Sequence, residues 1–302
     1  MGSRDHRRLS LSGPLRSVLF VPGNRPRMLE KGRDLPADAV ILDLEDAVPP
    51  GEKAAARAMV RQALEAGPYG PQVILRVNAL ATGLVEDDLR EAWAEGVAAV
   101  CLPKAGTPAD VQRLASLLTA VEQERGLADG AVGILLMVET AQGVLNSFEM
   151  AMAGGEPRGR RVQALCLGGE DLAWDLGAVR TRSGAEIAYA RSHLVLAARA
   201  AGAMAIDTVY TDLADLEGLQ DEARQARQLG YSGKLLIHPS QIEPAHRAFA
   251  PSEKEVAHAR RVLDAFEEAG TRGEGVIALY GQMIDAPVVA RARETLALAE
   301  GL

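Results

Sequence analysis

Two carboxylates offer the clearest chemistry in this chain: Glu139, directly after the short apolar run Val132–Val138, and Asp171, which follows the run Val162–Leu167 after Gly168, Gly169 and Glu170. Runs of that length bounded by glycine and charge predict strands buried on both faces, which belong to parallel sheets covered by helices. In such sheets the C-terminal strand ends carry the chemistry. A pair of acids converging there suits Mg2+, a hard cation that takes one or two protein carboxylates and leaves its other positions to water and substrate. Glu45 and Asp46, which follow a third run, are placed to hold metal-bound waters. Arg76 offers a planar fork for a carboxylate or a developing enolate oxygen. An ordinary ion-pair network between loops is the alternative.

The elements that would position these groups alternate regularly. Strands are predicted at Arg16–Val21, Ala39–Leu44, Val73–Val77, Ala98–Leu102, Val132–Val138, Val162–Leu167, Ala205–Val209 and Lys234–Ile237. Between them, amphipathic stretches predict helices at Pro26–Asp34, Glu52–Ala66, Val85–Ala94, Pro108–Arg125, Ala141–Ala153, Ala185–Ala201 and Asp215–Leu229. Start signals stand at Asn24 before Pro26, at Thr107 before Pro108, and at Ser183 with Glu186 as a capping box. Eight strands alternating with helices specify an α/β fold, a (β/α)8 TIM barrel. The rival, an open doubly wound sheet, lacks its GxGxxG after the first strand, and no linker splits the chain. Residues 1–14 read as a disordered basic tail, 15–270 as the catalytic barrel, and 271–302 as a C-terminal extension reaching a barrel mouth or a neighbouring subunit.

Composition narrows the partners. Across 302 residues the formal net charge is −8 and aromatics make up 4%. Such a chain predicts an aliphatic core and no nucleic-acid partner, since phosphate backbones need clustered Lys and Arg. No apolar stretch reaches membrane-spanning length and no secretory signal opens the sequence, so a cytoplasmic protein without a membrane partner is expected. Cys101 and Cys166 fall inside apolar runs without ligand spacing and read as buried free thiols.

Other candidates divide between roles. His238, after the last strand, either contacts substrate or braces its loop. His6, His193, His246 and His258 lack metal spacing and read as surface or packing residues, and Trp93 and Trp174 as packing residues. Asp207 is expected to face the barrel interior or mouth. Gly230–Gly233 is no GxSxG elbow, because Lys234 stands at its last position.

The stretches RSVLFVPGNRPRMLEK, AVILDLEDAVPPGEKAAAR, LRVNAL, VCLPKAG, LLMVETAQGV, LCLGGEDLAWDLGAVRT, GKLLIHPSQI and GQMIDAP, in this order from Arg16 to Pro287, resemble the citrate lyase β-subunit-like family of acyl-CoA lyases. That resemblance implies a barrel assembling as a homotrimer or hexamer, with Mg2+ as cofactor and a CoA thioester as substrate. It implies metal ligation by Glu139 and Asp171, and contact of Arg76 with the 2-oxo acid and the thioester oxygen. It implies contact of Phe20, Arg25 and Lys31 with the CoA or acyl portion. Gly169 and Glu170 would lie in a loop presenting backbone amides to the oxo-acid carboxylate, and Asp285 would be a catalytic aspartate from a neighbouring subunit. Gln282 stands where many relatives carry lysine. The implied reaction joins or splits a small 2-oxo acid (oxaloacetate, glyoxylate or pyruvate) and an acyl-CoA. Two alternatives share the barrel: a metal-dependent pyruvate aldolase without a thioester, and a citrate lyase subunit acting on an acyl carrier protein.

Overall fold

The computed structural model describes residues 11–154, 161–270, 277–279 and 282–300. Eight strands, β1 (Ser17–Pro22), β2 (Ala39–Asp43), β3 (Gln72–Arg76), β4 (Val97–Leu102), β5 (Gly133–Val138), β6 (Val162–Leu167), β7 (Met204–Asp207) and β8 (Gly233–Leu236), run parallel in sequential order. Pairing of β1 with β8 closes the barrel. Closure depends on a missing side chain: a Cβ on Gly233 would fall 1.7 Å from the Leu15 carbonyl oxygen.

Strand parity fixes what points where. Val18, Ala39, Ile41, Ile74, Ala99, Cys101, Leu135, Met137, Ala164, Cys166, Ile206 and Leu235 form one buried cluster, with Phe20 and Met204 packed against it. This is the barrel interior, filled by alternating small and large aliphatic side chains. Continuing each strand by two residues brings Asp43, Arg76, Glu139, Gly168 and Thr208 to its C-terminal rim. The odd-parity partners face the helix layer instead.

That layer contains α1 (Pro26–Gly32), α2 (Lys53–Glu65), α3 (Val85–Asp87), α4 (Pro108–Glu124), α5 (Ala141–Leu145), α6 (Ser147–Met152), α7 (Gly169–Asp175), α8 (Ala188–Ala201), α9 (Leu216–Leu229) and α10 (Ile242–Phe249). The expected capping signal at Thr107 is present as a reciprocal box with Asp110. Two other start signals are spent elsewhere. Asn24 Nδ2 donates to Glu52 rather than capping α1, and Glu186 accepts from the Thr181 hydroxyl and pairs with Arg180 while Gly184 leads the turn ahead of α8. The stretch expected as one helix over Val85–Ala94 continues from α3 as a π-helical turn, Asp88–Ala92, and Ala141–Ala153 breaks at Asn146, whose side chain donates to the Gly106 carbonyl. Helix α7 was not expected from the sequence.

Residues 1–10 of the expected tail lie outside the described residues. Beyond them, the Leu11 and Ser12 amides donate to the side chains of Gln163 and Gln72, at the opposite end of the barrel from the carboxylates.

The chain divides into two compact units, up to Ala248 and from Phe249 on. In the second, α11 (Glu253–Gly270) packs with α12 (Ala286–Glu300) through Ala259, Val262, Ile284, Val289 and Ala292. An antiparallel pair, β9 (Ile277–Leu279) and β10 (Gln282–Ile284), precedes α12. Residues 271–276 and 280–281 of the extension lie outside the described residues. Among the described residues no helix is long and apolar enough to cross a membrane.

Candidate metal and oxo-acid site

Glu139 follows β5 at an interior position and is 2% exposed. Its Oε1 accepts the Lys104 backbone N–H at 2.7 Å. Its other oxygen lies beside Gly168, where a Cβ would fall 2.5 Å from both Glu139 Cβ and Oε2. Glycine at 168 is therefore a condition for this carboxylate's placement. Burial, reinforced by the negative charge of Asp171, pushes the Glu139 carboxyl up to about 8 despite the Lys104 amide. Asp171 sits in the first turn of α7, half-buried. That helix is anchored on its barrel side by Gly169, whose N–H donates to Thr208 Oγ1 at 2.9 Å. Gly169 and Glu170 thus lie in a helical turn rather than a loop, and Glu170 is exposed and paired with Arg180 at 2.8 Å.

Across the rim, Arg76 extends from β3 over the Phe20 ring, 4.6 Å from its centroid. Its Nε and Nη2 donate to the two oxygens of Asp43 at 2.7 and 2.6 Å, a buried bidentate pair. Its Nη1 lies 3.1 Å from Glu45 Oε2. Burial pulls against the charge on Arg76, but Asp43 outweighs it and holds the guanidinium more firmly protonated than usual. Burial raises Glu45 above the ordinary carboxylate range even with Arg76 alongside, whereas Arg76 and Lys104 overcome desolvation and lower Asp46.

Two lysines secure the acidic segment after β2. Lys53 Nζ donates to the carbonyls of Leu44 and Glu45 at 2.8 and 2.6 Å, and Lys104 Nζ to Glu45 Oε1 and Asp46 Oδ1 at 2.5 and 3.2 Å.

The donor set fits Mg2+. Among the described residues no three His, Cys, Asp or Glu side chains group to hold an ion, so the rim presents a carboxylate pair. Beside it, Glu45 Oε2 is buried without a hydrogen bond, its contact with Arg76 being an ion pair outside hydrogen-bond geometry. An acceptor left open there suits an ion's water shell. Arg76 uses two of its five N–H groups in hydrogen bonds to Asp43, leaving others for an incoming carboxylate or enolate oxygen.

Phe20, Arg76, Glu45, Asp46, Glu139, Gly169 and Asp171 are brought to one rim. Arg25 and Lys31 are exposed around α1, apart from the hydrogen-bonded cluster. His238 is exposed and braces its own turn: its Nδ1 accepts the Ser240 N–H at 3.2 Å. Asp285 belongs to the second unit, where its Oδ1 caps α12 by accepting from Val288 N–H at 3.2 Å.

Asp207 does not face the interior. It points into the helix layer, fully buried, with Arg191 and Lys234 at 2.9 Å, because Ile206 and Thr208 hold the inward positions. Trp93 is a packing residue, stacked under Arg125, but Trp174 is 83% exposed. Sequence reading had also passed over Asp43, Lys53 and Thr208. Asp43 and Thr208 share a detectable signal: each is the next inward position after two interior residues of its strand.

Comparison with known proteins agrees with this fold. The family described as HpcH/HpaI aldolase/citrate lyase matches residues 16–239. Citrate lyase subunit beta of Leuconostoc mesenteroides subsp. cremoris is 41% identical over 285 residues, 94% of this chain and 93% of that protein. (3S)-Malyl-CoA thioesterase of Cereibacter sphaeroides is 40% identical over 291 residues, 96% of each. The crystal structure of CitE from Mycobacterium tuberculosis with magnesium, acetoacetate and coenzyme A superposes with a TM-score of 0.76 at 37% identity, covering 96% of this chain and 98% of that one. On its barrel and its sequence, this chain belongs to the HpcH/HpaI aldolase/citrate lyase family.

Proposed function

We propose that the protein is a Mg2+-dependent carbon–carbon lyase that makes or breaks the bond between a small 2-oxo acid and an acyl-CoA thioester. The observation that carries this reading is the carboxylate pair of buried Glu139 and half-buried Asp171, on a rim shared with an arginine whose fork is only partly used. The similarity to a structure holding magnesium, an oxo acid and coenzyme A supports it.

In this reading Glu139 and Asp171 hold the ion, with Glu45 and Asp46 outside its water shell. When bound, Mg2+ supplies Lewis-acid polarisation of the oxo-acid carbonyl. Asp43 and the Phe20 ring fix Arg76 so that its remaining N–H groups meet the thioester enolate oxygen. Asp285, delivered by the arm of a neighbouring copy in a trimer or hexamer, takes a proton from the thioester α-carbon. The resulting carbanion adds to the oxo-acid carbonyl carbon, whose oxygen ends as a hydroxyl after protonation. Cleavage runs in reverse, and Asp285 returns its proton to the thioester. Phe20, Arg25 and Lys31 contact the CoA or acyl portion, and His238 shapes the adjoining rim.

The (3S)-malyl-CoA thioesterase relative favours one further reading, in which the thioester of the hydroxyacyl-CoA is hydrolysed to the free hydroxy acid and CoA. Incubating the purified protein and Mg2+ with malyl-, citramalyl- and citryl-CoA tests both. Oxo acid with an intact acyl-CoA is expected for the lyase, and free CoA thiol for hydrolysis. No turnover of any thioester, with cleavage of a free hydroxy-oxo acid, refutes the proposal in favour of an aldolase; turnover only of a carrier-borne acyl group assigns it to a citrate lyase assembly. Asp285→Asn is expected to lower turnover by about 10² to 10⁴ while leaving Mg2+ affinity unchanged.

A further inference from the structure

Lys104 is the one non-glycine residue with a positive φ among the described residues, at 54°. Left-handed backbone is unfavourable for a residue with a Cβ, and it persists where surrounding contacts over-determine it. Both ends of Lys104 are so determined. Its N–H donates to Glu139 Oε1 at 2.7 Å, and its ammonium donates to Glu45 Oε1 at 2.5 Å and Asp46 Oδ1 at 3.2 Å. A single residue after β4 thus joins the segments that follow β2 and β5.

The charges around it explain why a lysine is useful there. Asp43, Glu45, Asp46, Glu139 and Asp171 bring five carboxylates to this part of the rim. Arg76 is committed to Asp43 and approaches Glu45, while remaining 3.9 Å from Asp46. Without the Lys104 ammonium, Glu45 and Asp46 would add their full field to that of the Glu139–Asp171 pair. A divalent ion in that more negative field is held more tightly and gives up its place to substrate oxygens less readily.

We infer that Lys104 is a positioning residue that serves as a built-in counter-cation, engaging Glu45 and Asp46 so that Mg2+ is held by Glu139 and Asp171 at moderate affinity with open coordination positions. This rests on the reading of Glu139 and Asp171 as the ion's ligands. It makes an unusual demand: removal of a site lysine must tighten metal binding, whereas a lysine that merely holds loops together would weaken binding when lost.

The test is calorimetric titration of the metal-stripped full chain with Mg2+ alone, comparing the native protein with Lys104→Met, Lys104→Gly, Lys104→Arg and Glu139→Gln. Lys104→Gly accommodates the left-handed backbone without strain and keeps the amide on Glu139, so a folded chain lacking the ammonium is available. Both the Met and Gly variants are expected to bind Mg2+ about three- to tenfold more tightly, the range left after solvent screening of a half-exposed charge. That gain should shrink as ionic strength rises from about 0.05 to about 0.5 M, and Lys104→Arg should restore native affinity. Unchanged or weaker binding in either ammonium-free variant overturns the inference. Native Mg2+ binding that Glu139→Gln leaves intact overturns the ion-site reading itself, and the inference falls with it.

Discussion

Replacing Glu139 by Gln should stabilise the metal-free protein at pH 8 and do little at pH 5. The native carboxyl titrates at about 8 against an ordinary value of 4.5, chiefly because it is buried, and secondly because Asp171 is close. Between those two values the folded chain keeps a proton that the unfolded chain has released, so this group's contribution to stability falls as pH rises from 4.5 towards 8. A separation of about 3.5 pH units sets a ceiling of roughly 5 kcal/mol. The same linkage gives a cost of about 1 kcal/mol at pH 5 and about 4 kcal/mol at pH 8, a change of roughly 3 kcal/mol across that interval. Glutamine removes the titration while its side-chain oxygen can still accept the Lys104 N–H, so the hydrogen bond seen at 2.7 Å survives.

Urea unfolding of both proteins in chelator at pH 5 and pH 8 measures the difference directly. Titrating groups remote from Glu139 are common to both chains and cancel. The native protein should lose roughly 3 kcal/mol relative to Glu139→Gln between the two pH values. Added Mg2+ at pH 8 should recover stability in the native chain alone, since a ligand that binds only the folded state stabilises it by mass action. A difference between the two proteins that stays constant with pH, within about 0.5 kcal/mol, would refute the assignment of Glu139 as a buried, proton-holding ligand in the metal-free state.

Two further substitutions probe the neighbours of that carboxylate. Gly168→Ala places a methyl 2.5 Å from Glu139 Cβ, an atom that cannot swing aside, so Mg2+ affinity measured by calorimetry should fall more than tenfold (~1.4 kcal/mol), with about 1–3 kcal/mol lost in chemical unfolding. Arg76→Lys keeps the charge but cannot match both Asp43 oxygens; unfolding should show a loss of about 1–3 kcal/mol, and turnover should fall about 10² to 10³ as the proposed enolate donor is lost.

Strand order and the acidic pair were legible because apolar runs such as Val132–Val138 leave no polar position for a surface face, and eight of them alternate with amphipathic stretches. Less legible was how side chains share partners. Apolar periodicity says that Arg76 ends β3, but its pairing with Asp43 follows from register, since β2 and β3 place the two residues opposite each other. Helix α7 escaped notice because only seven residues form it and glycines open it, which gives periodicity little to act on. The Ser183 box failed for a local reason: Arg180 and Thr181, in the loop just ahead of it, claimed Glu186.

Parity explains why adjacent residues at the end of β7 do different work. Side chains alternate across a strand, so Asp207 must face the helices if Ile206 faces the core, and Thr208 must then return to the rim. Outward, a fully buried Asp207 is tolerable only with compensating charge, which Arg191 and Lys234 provide from α8 and β8. Inward, the Thr208 hydroxyl meets the Gly169 amide and anchors the turn that carries Asp171. A one-residue slip of β7 would exchange the two roles, burying a carboxylate in the aliphatic interior and stripping Asp171 of its anchor. The Arg191–Asp207–Lys234 cluster opposes that slip, because its geometry is satisfied in one register only. An ion network remote from the rim thereby helps fix where Asp171, the proposed second metal ligand, stands.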